Sequence, residues 1–233
     1  LFLAQLHGSN PMRSMHPKFV SHTSSPYLIF KRISDVILSC FLLFALSPLL
    51  FLCALLVYFD LGEPILFTQA RAGLYDRKFV IYKFRTMKQV YDQYGSLLRD
   101  ELRVTPFGRF LRALSLDELP ELYNIFIGDM SFVGPRPLPY RYVPLYSDLQ
   151  RCRHNVLPGL TGLAQVNGRN LTSWDRRFTL DLLYVDKISF FLDYKIMMKT
   201  IFVVISSHGV NSFSNLPMPD FTGDQARHNN SSQ

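Results

Sequence analysis

The sequence has few cysteines and no internal repeat. Its three cysteines, Cys40, Cys53 and Cys152, stand at no spacing typical of metal ligands. A disulfide framework is therefore not expected, and a reducing cytoplasmic environment is the simpler interpretation. The six histidines also form no pair at ligand spacing, which favours solvent exposure over metal binding.

Neither end of the sequence shows a sustained hydrophobic period. Residues 1–26 are polar and carry no secretory signal, because the apolar run that follows them lacks a credible cleavage site. We interpret residues 1–26 as a flexible extension, or as upstream sequence before a true start at Met12 or Met15. Residues 211–233 are predicted to be a polar tail.

A nucleic-acid-binding motif is missing, although the chain carries a formal net charge of +7. This charge is compatible with nucleic acid, an anionic membrane surface or phosphorylated substrates. We favour membrane lipids and phosphorylated substrates and expect no nucleic acid, because the basic residues surround an apolar run. The length of 233 residues, 48% of them hydrophobic, suits one domain with a core and a membrane-facing surface.

The apolar run covers residues 36–59 and is interrupted only by Ser39, Ser47 and Pro48. A straight helix of this length reaches roughly 36 Å, which is enough to cross a bilayer. Hydropathy alone therefore predicts a transmembrane helix, but basic residues on both flanks give it no direction. Pro48 removes a backbone donor, and the Ser47 hydroxyl can bind the freed carbonyl. The alternative is a helix that bends there and returns to the same face.

Two adjacent carboxylates, Asp117 and Glu118, precede a Gly-Pro-Arg-Pro loop at residues 134–137. Neighbouring acids repel one another unless a divalent cation, a proton or an arginine neutralises part of their charge. Mg²⁺ prefers oxygen ligands and bridges carboxylates to phosphates, and a carboxylate can also be a nucleophile that forms an acyl-phosphate. Arg112 and Arg136 flank the pair with guanidinium groups that match phosphate oxygens. This pattern is typical of phosphoryl transfer.

A purely structural interpretation of the same residues stays open. Ser115 and Glu118 fit a helix capping box, while Pro120 fits the first turn of a helix that Asp117 caps. Residues 134–137 could form only a rigid surface loop.

Four further stretches extend the pattern: residues 31–35, 67–73, 82–87 and 158–169, which read KRISD, FTQARAG, YKFRTM and PGLTGLAQVNGR. With the two central motifs, they make the chain similar to the bacterial sugar transferase family, the monotopic polyprenyl-phosphate phosphoglycosyl transferases. The resemblance runs from about residue 27 to 210, and it is strongest to the short members that consist of the catalytic unit alone.

The resemblance implies a ping-pong reaction. Asp117 would attack the β-phosphate of a UDP-sugar and release UMP, and Glu118 would hold Mg²⁺. Undecaprenyl phosphate would then attack the covalent intermediate, in the first membrane step of glycoconjugate assembly. The sugar expected from the short members is an N-acetylated amino sugar. Arg112 and Arg136 would bind the phosphate oxygens, and Pro135 and Pro137 would fix the loop that carries Arg136.

Six more positions are predicted to bind substrate: Lys83, Arg85, Gln165, Asn167, Arg169 and Asp181. Asp181 could also be a solvated acid on an otherwise apolar helix. The side chains at 165, 167 and 169 could equally hold a loop together by hydrogen bonds. Leu163 stands where many relatives carry an aromatic residue, a departure that bears on the acceptor or sugar pocket.

The fold expected from the resemblance is membrane-associated α+β, mostly α. Residues 27–60 would form a re-entrant membrane helix, with Lys31 and Arg32 at the headgroup level. Residues 61–210 would form a catalytic domain on the cytoplasmic face of the bacterial inner membrane, so that the protein is monotopic. No oligomeric state is predicted.

Two local patterns add detail to this fold. Residues 64–69 and 78–87 are rich in β-formers on either side of a turn, which predicts a β-hairpin. Near the C-terminus, apolar residues recur at helical spacing: Phe190, Tyr194, Met197, Ile201 and Val204. This stripe indicates a core-facing helix or an amphipathic helix in the bilayer interface.

Two other functions compete with the leading one. A membrane-bound glycosyltransferase would transfer only the sugar and release UDP. A basic scaffold that binds anionic lipids would have no catalytic activity, and it would be insensitive to Asp117→Asn.

Overall fold

The computed structural model describes residues 26–167, 173–206 and 220–223. The fold is α+β and mostly helical, as predicted, with two small sheets. The helices are α1 (Pro26–Ala45), α2 (Ser47–Leu61), α3 (Asp100–Arg103), α4 (Pro106–Ala113), α5 (Glu121–Ile127), α6 (Asp148–Arg151), α7 (Leu163–Val166), α8 (Trp174–Lys187) and α9 (Phe190–Ser206). The strands are β1 (Leu66–Ala72), β2 (Lys78–Phe84), β3 (Ser131–Val133) and β4 (Gly159–Thr161). Short 3-10 turns cover Leu116–Glu118, Tyr140–Leu145 and Cys152–Asn155.

The apolar run forms two helices instead of one. α1 and α2 are bent by 63° at the break between them. Pro48 has no N–H to give to the Phe44 carbonyl, and the Ser47 hydroxyl donates to that carbonyl instead, at 2.8 Å. The prediction of a straight helix is therefore wrong, and the break lies where Ser47 and Pro48 predicted it. In the described ranges no single helix has the length and apolarity to cross a membrane, and the bent pair meets that test only jointly.

α1 and α2 bury one side and expose many apolar side chains on the other. On α2, Cys53 and Val57 pack against Phe84 of β2 and Leu111 of α4. The largely exposed residues of the two helices include Ile37, Phe41, Phe44, Phe51 and Phe59. Exposed apolar area of this kind marks a surface that contacts a membrane or a partner.

The N-terminal part of α1 is tied to the rest of the protein by charged side chains. The Lys31 ammonium lies 2.5 Å from the Asp193 carboxylate of α9, which also accepts from the Tyr27 hydroxyl at 2.6 Å. Arg32 donates to the carbonyls of Ile125 and Phe126, at the end of α5. The two residues predicted at the headgroup level thus have partners within the protein.

The predicted β-hairpin is confirmed. β1 and β2 pair antiparallel, from Leu66 opposite Phe84 to Ala72 opposite Lys78. Helix α5 binds the hairpin through Asn124, whose amide donates to the Val80 carbonyl at 2.7 Å. Lys83 follows the buried Ile81 by two positions on β2, and its ammonium contacts Glu118 and Glu121. The hairpin thus places a lysine beside the start of α5.

The C-terminal helix α9 presents two apolar sides. Ile196 is buried and Leu192 packs against the same core, whereas Phe190, Tyr194 and Ile201 are each about half exposed. The interpretation of the stripe as core-facing is therefore wrong for these three residues. Met197 of the stripe does pack against the core, together with Leu192 and Ile196.

One residue of the predicted polar tail lies in the core. Phe221 is 3% exposed and packs with Tyr142, Tyr146 and Phe178. Its neighbour Asp220 accepts hydrogen bonds from Arg141 and from the Tyr142 hydroxyl. Pro26, predicted to end the extension, begins α1. Residues 1–25, 211–219 and 224–233 of the predicted extension and tail lie outside the described ranges.

Candidate active site

The adjacent carboxylates lie on a short 3-10 turn between α4 and α5. Ser115 turns the chain there with a left-handed backbone (φ 56°), and its side chain makes no capping hydrogen bond. α5 is preceded by Pro120, which also provides no side-chain cap. The capping interpretation is therefore wrong within the described residues, and the two carboxylates are available for other contacts.

Glu118 is the paired member of the two. Its Oε1 lies 2.6 Å from the Lys83 ammonium and accepts from the Arg136 guanidinium at 3.0 Å. Burial alone would raise its pKa, but the charges of Arg136 and Lys83 outweigh burial and hold the pKa at about 2. Glu118 is therefore ionised and held in place by two cations.

Asp117 is the unpaired member. Among the described residues, no hydrogen bond or ion pair reaches its carboxylate within bonding distance. Burial and the Glu118 charge raise the pKa of Asp117, while Lys83, Arg112 and Arg136 act in the opposite direction. A carboxylate in this setting is more basic than usual and free to bind or attack.

A third acid, Glu121, shares Lys83 with Glu118. Its Oε1 lies 3.0 Å from the Lys83 ammonium, and the residue is 3% exposed. Burial and the Glu118 charge raise the pKa of Glu121 to about 7, against the pull of Lys83. We call Lys83, Asp117, Glu118 and Glu121 the carboxylate cluster. Sequence reasoning missed Glu121, although its place one helical turn after Glu118 was a signal.

The two predicted phosphate-binding arginines approach the carboxylate cluster from different sides. Arg112 is oriented by a hydrogen bond from its Nε to the Thr86 hydroxyl at 2.9 Å. Arg136 remains 39% exposed while it binds Glu118. Both keep N–H groups that can bind substrate oxygens. A third arginine, Arg71, was not predicted; it donates to the Pro137 carbonyl at 3.0 Å and so holds the loop that carries Arg136.

The Gly-Pro-Arg-Pro loop is fixed by direct contact between main chains. β3 and β4 pair in parallel, and the Gly159 N–H donates to the Pro135 carbonyl at 3.0 Å. A Cβ added to Gly134, Gly159 or Gly162 would overlap neighbouring backbone atoms. Glycine is required at these positions because the stretches 134–137 and 158–162 touch without side chains between them.

Asp181 is bound to an arginine that sequence reasoning missed. Its carboxylate accepts from Arg153 at 2.7 and 3.0 Å, and both side chains are almost fully buried. Arg153 also donates to the Arg136 carbonyl at 2.7 Å and contacts His154, which binds Asp76. We call Arg153, Asp181, His154 and Asp76 the arginine cluster. The interpretation of Asp181 as a solvated acid is wrong.

Three other predicted substrate-binding residues have partners elsewhere. Arg85 donates to the carbonyls of Leu61, Gly62 and Glu63, at the end of α2. Gln165 donates to the Leu160 carbonyl and Asn167 to the Leu163 carbonyl, at 2.9 and 2.8 Å. These contacts agree with the interpretation that side chains hold the loop together. Arg169 lies outside the described residues.

An open apolar groove borders the carboxylate cluster. Its volume is about 1090 Å³, and its lining comes from α1, α2, the hairpin and the start of α5. The lining includes Leu43, Leu50, Phe51, Phe84, Pro120 and Tyr123. Tyr82 and Pro120 of this lining are the chain neighbours of Lys83 and Glu121, so the groove lies next to the carboxylate cluster.

Sequence comparison with known proteins assigns the chain to a family. The model of the bacterial sugar transferase family matches residues 26–207. The chain belongs to the bacterial sugar transferase family. The predicted family is thereby confirmed. The names of the relatives confirm the prediction of an enzyme of the phosphoglycosyl transferase type.

Three relatives show how far this bacterial sugar transferase is matched. It is 46% identical to the uncharacterized sugar transferase EpsL of Bacillus subtilis, over 84% of this chain and 97% of that protein. It is 38% identical to the UDP-glucose:undecaprenyl-phosphate glucose-1-phosphate transferase of Klebsiella pneumoniae, over 80% of this chain and 42% of that protein. It is 35% identical to the UDP-N-acetylgalactosamine-undecaprenyl-phosphate N-acetylgalactosaminephosphotransferase of Aeromonas hydrophila, over 78% of this chain and 45% of that protein. The chain thus spans less than half of the last two relatives.

The carboxylates of this sugar transferase do not form a closed metal site. In the described residues no group of three His, Cys, Asp or Glu side chains could hold a metal ion. Mg²⁺ usually keeps several waters and binds one or two carboxylates together with substrate phosphates. The unpaired Asp117 and the ionised Glu118 fit such a shared site, because a cation held there needs only one or two protein oxygens.

Proposed function

We propose that this chain transfers sugar 1-phosphate from a UDP-sugar to undecaprenyl phosphate and releases UMP, through a covalent intermediate on Asp117. The names of the relatives from Klebsiella and Aeromonas support the general reaction. The observation that carries the proposal is the division of roles between two adjacent acids. Glu118 is ionised and paired, whereas Asp117 is unpaired and more basic than usual.

In the first half-reaction, an Asp117 oxygen attacks the β-phosphorus of the UDP-sugar. The bond between that phosphorus and the oxygen that bridges to the α-phosphate breaks, and UMP leaves with the electron pair. The sugar phosphate stays on Asp117 as an acyl-phosphate. Arg112 and Arg136 offer N–H groups to the phosphate oxygens, and Lys83 binds the neighbouring Glu118 carboxylate.

In the second half-reaction, a phosphate oxygen of undecaprenyl phosphate attacks the same phosphorus. The bond from phosphorus to the Asp117 oxygen breaks, which restores the carboxylate and leaves the sugar on the lipid through a diphosphate. The groove beside Pro120 is apolar and would hold the first isoprene units of this acceptor.

Glu118, together with substrate phosphates, would hold Mg²⁺. When bound, the cation neutralises charge on the diphosphate and on the departing UMP. The second oxygen of Glu118 is the one available for this role, because Oε1 binds Lys83 and Arg136.

The donor is proposed to be a UDP-linked N-acetylated amino sugar. The relatives differ on this point, because the Aeromonas protein is named for N-acetylgalactosamine and the Klebsiella protein for glucose. A donor panel must therefore contain both kinds of sugar.

The first experiment measures nucleotide release from a panel of UDP-sugars, with the protein in nanodiscs and with or without undecaprenyl phosphate. We expect UMP, dependent on Mg²⁺ and on Asp117. A donor labelled in its β-phosphate should label the native protein when the acceptor is left out, and should not label Asp117→Asn. Asp186→Asn, at an exposed position of α8, is the matched control and should behave as native.

The other outcomes identify the competing functions. Release of UDP indicates a glycosyltransferase that moves only the sugar. UMP release that survives Asp117→Asn excludes the covalent intermediate. If no nucleotide is released, and the native protein and Asp117→Asn bind anionic lipid equally well, the protein is a scaffold.

We also propose that α1 and α2 enter the cytoplasmic leaflet of the bacterial inner membrane and return to the same face, with α9 in the interface. The 63° bend and the exposed apolar side chains of α1, α2 and α9 support this arrangement. A cysteine-free background with Pro26→Cys or Glu63→Cys tests it by labelling with an impermeant maleimide. Labelling of both positions from the cytoplasmic side only is expected, and labelling from opposite sides indicates a spanning segment.

A further inference from the structure

Arg153 is a buried charge that contacts three other groups of the protein: the Asp181 carboxylate, the Arg136 carbonyl and the His154 ring. Its guanidinium gives two hydrogen bonds to one Asp181 oxygen and a third, at 2.7 Å, to the Arg136 carbonyl. Its Nη1 lies 3.3 Å from Nε2 of His154. Arg153 is 1% exposed, so it is not available to bind a substrate directly.

The N–H groups of the Arg153 guanidinium determine which ring nitrogen of His154 carries the proton. A guanidinium only donates, so His154 Nε2 must accept, and the ring proton must lie on Nδ1. Nδ1 then donates to the Asp76 carboxylate at 2.5 Å. Burial and the Arg153 charge lower the pKa of His154 to about 4, which agrees with a neutral ring. The hydrogen bonds therefore run in one direction, from Arg153 to His154 and from His154 to Asp76.

Asp76 fixes the far end of this chain of hydrogen bonds. It lies in the turn between β1 and β2, in a left-handed backbone conformation (φ 61°). Its other carboxylate oxygen lies 3.4 Å from Arg151 Nε. The hairpin turn and the Cys152–Asn155 turn thus hold each other, and Arg153 projects from the second toward the Arg136 loop.

We propose that Arg153 is a positioning residue of the transferase: it holds the main chain of Arg136 so that the Arg136 guanidinium meets both Glu118 and the donor phosphates. Asp181 and His154 act through Arg153. Arg136 is then held at both ends, by Arg153 at its carbonyl and by Glu118 at its side chain. This inference rests on the proposed function, in which Arg136 binds phosphate.

The shape of the arginine side chain explains why no other cation serves here. One planar guanidinium reaches the Asp181 carboxylate, the Arg136 carbonyl and the His154 ring at the same time. Lysine would keep the charge but has a single ammonium group without this fork. We therefore expect Arg153→Lys to fold and to release the Arg136 loop.

A double-mutant cycle tests the inference by single-turnover UMP release from the UDP-sugar that the native protein uses. Arg153→Lys should slow this half-reaction on the order of 10²-fold, because a displacement of about 1 Å at a catalytic group has that effect. In an Arg136→Gln background the same change should slow it less than twofold, because the group that Arg153 positions is gone. Arg141→Lys, at an exposed arginine bound to Asp220, should have no effect in either background.

Equal losses from Arg153→Lys in both backgrounds would overturn the inference, because they indicate general damage to the fold. If Arg153→Lys does not fold, His154→Gln replaces it in the cycle. A slower rate that appears when Arg136 is present, and not in the Arg136→Gln variant, supports the same conclusion. Failure of the proposed function is distinct, because the native protein would then release no UMP, or Asp117→Asn would release it equally well.

Discussion

The carboxylate cluster and the arginine cluster meet at Arg136, and they treat buried charge in opposite ways. In the arginine cluster, Arg153 and Asp181 are both nearly inaccessible and bind each other through two hydrogen bonds. In the carboxylate cluster, Asp117 has no bonded partner among the described residues, and Glu118 and Glu121 share the ammonium of Lys83. One cluster completes its pairing inside the protein, and the other leaves it incomplete.

This difference shows how the fully paired arginine cluster and the reactive carboxylate of Asp117 can lie side by side. A buried charge without a full set of partners destabilises the fold, so it persists only where the surroundings hold it. A carboxylate that attacks phosphorus must be free of strong partners in the resting protein. The paired cluster fixes the loop, and the incompletely paired cluster contains the group that reacts.

The largest effect on this comparison is expected from Glu118→Gln. Arg136 would lose its anion and Lys83 would lose one of its two, so both cations would turn to Asp117, which would become paired and less nucleophilic. Single-turnover UMP release should fall by about 10²- to 10³-fold, the range found when one electrostatic partner of a reaction is removed. Asp186→Asn should keep the native rate. A Glu118→Gln protein that retains most of its activity would show that Asp117 does not depend on this pairing.

A smaller effect, on stability instead of chemistry, is expected from Asp181→Asn. The Arg153 charge would stay buried without its anion, which destabilises a protein by about 3 kcal/mol. Thermal unfolding in one detergent should show a lower midpoint for Asp181→Asn than for Glu118→Gln, because Glu118 is 21% exposed and Lys83 keeps Glu121 as a partner. Equal midpoints for these two variants would remove the distinction between the clusters.

The smallest effect, and one that depends on pH, is expected from Glu121→Gln. The pKa of Glu121 is raised to about 7 in the folded protein, so the fold favours the protonated acid and loses stability as pH rises from about 4.5 through 7. The glutamine variant lacks this titration. Its unfolding midpoint should match the native one at pH 5 and exceed it at pH 8. A difference that is the same at both pH values would contradict the raised pKa.

Several parts of this fold could be predicted because their signals are local. The hairpin follows from β-formers on either side of a turn, and the bend follows from Pro48 and a serine able to replace its missing N–H. Asp117 and Glu118 stand out because two adjacent acids need neutralisation. The sequence did not reveal which of the two is paired, because Lys83 and Arg136 reach Glu118 only through tertiary contact.

Other parts could not be predicted because they depend on contacts between distant short segments. β3 and β4 have three residues each and show no periodicity, so their parallel pairing is visible only in the structure. Arg153 and Asp181 lie 28 residues apart, and neither has a local pattern that indicates the other. Glu121 looks like an ordinary acid in the first turn of a helix, and only its spacing of three residues from Glu118 indicated a role in the cluster.

Phe221 shows that the folded part of the chain extends beyond the end of the family match. The family match ends at residue 207, yet Phe221 fills the aromatic core between Tyr142 and Phe178. A chain cut at the end of the match would expose those rings to water and leave Arg141 without Asp220. A truncated version of the chain should therefore keep residues up to Gly223, beyond the end of the family match.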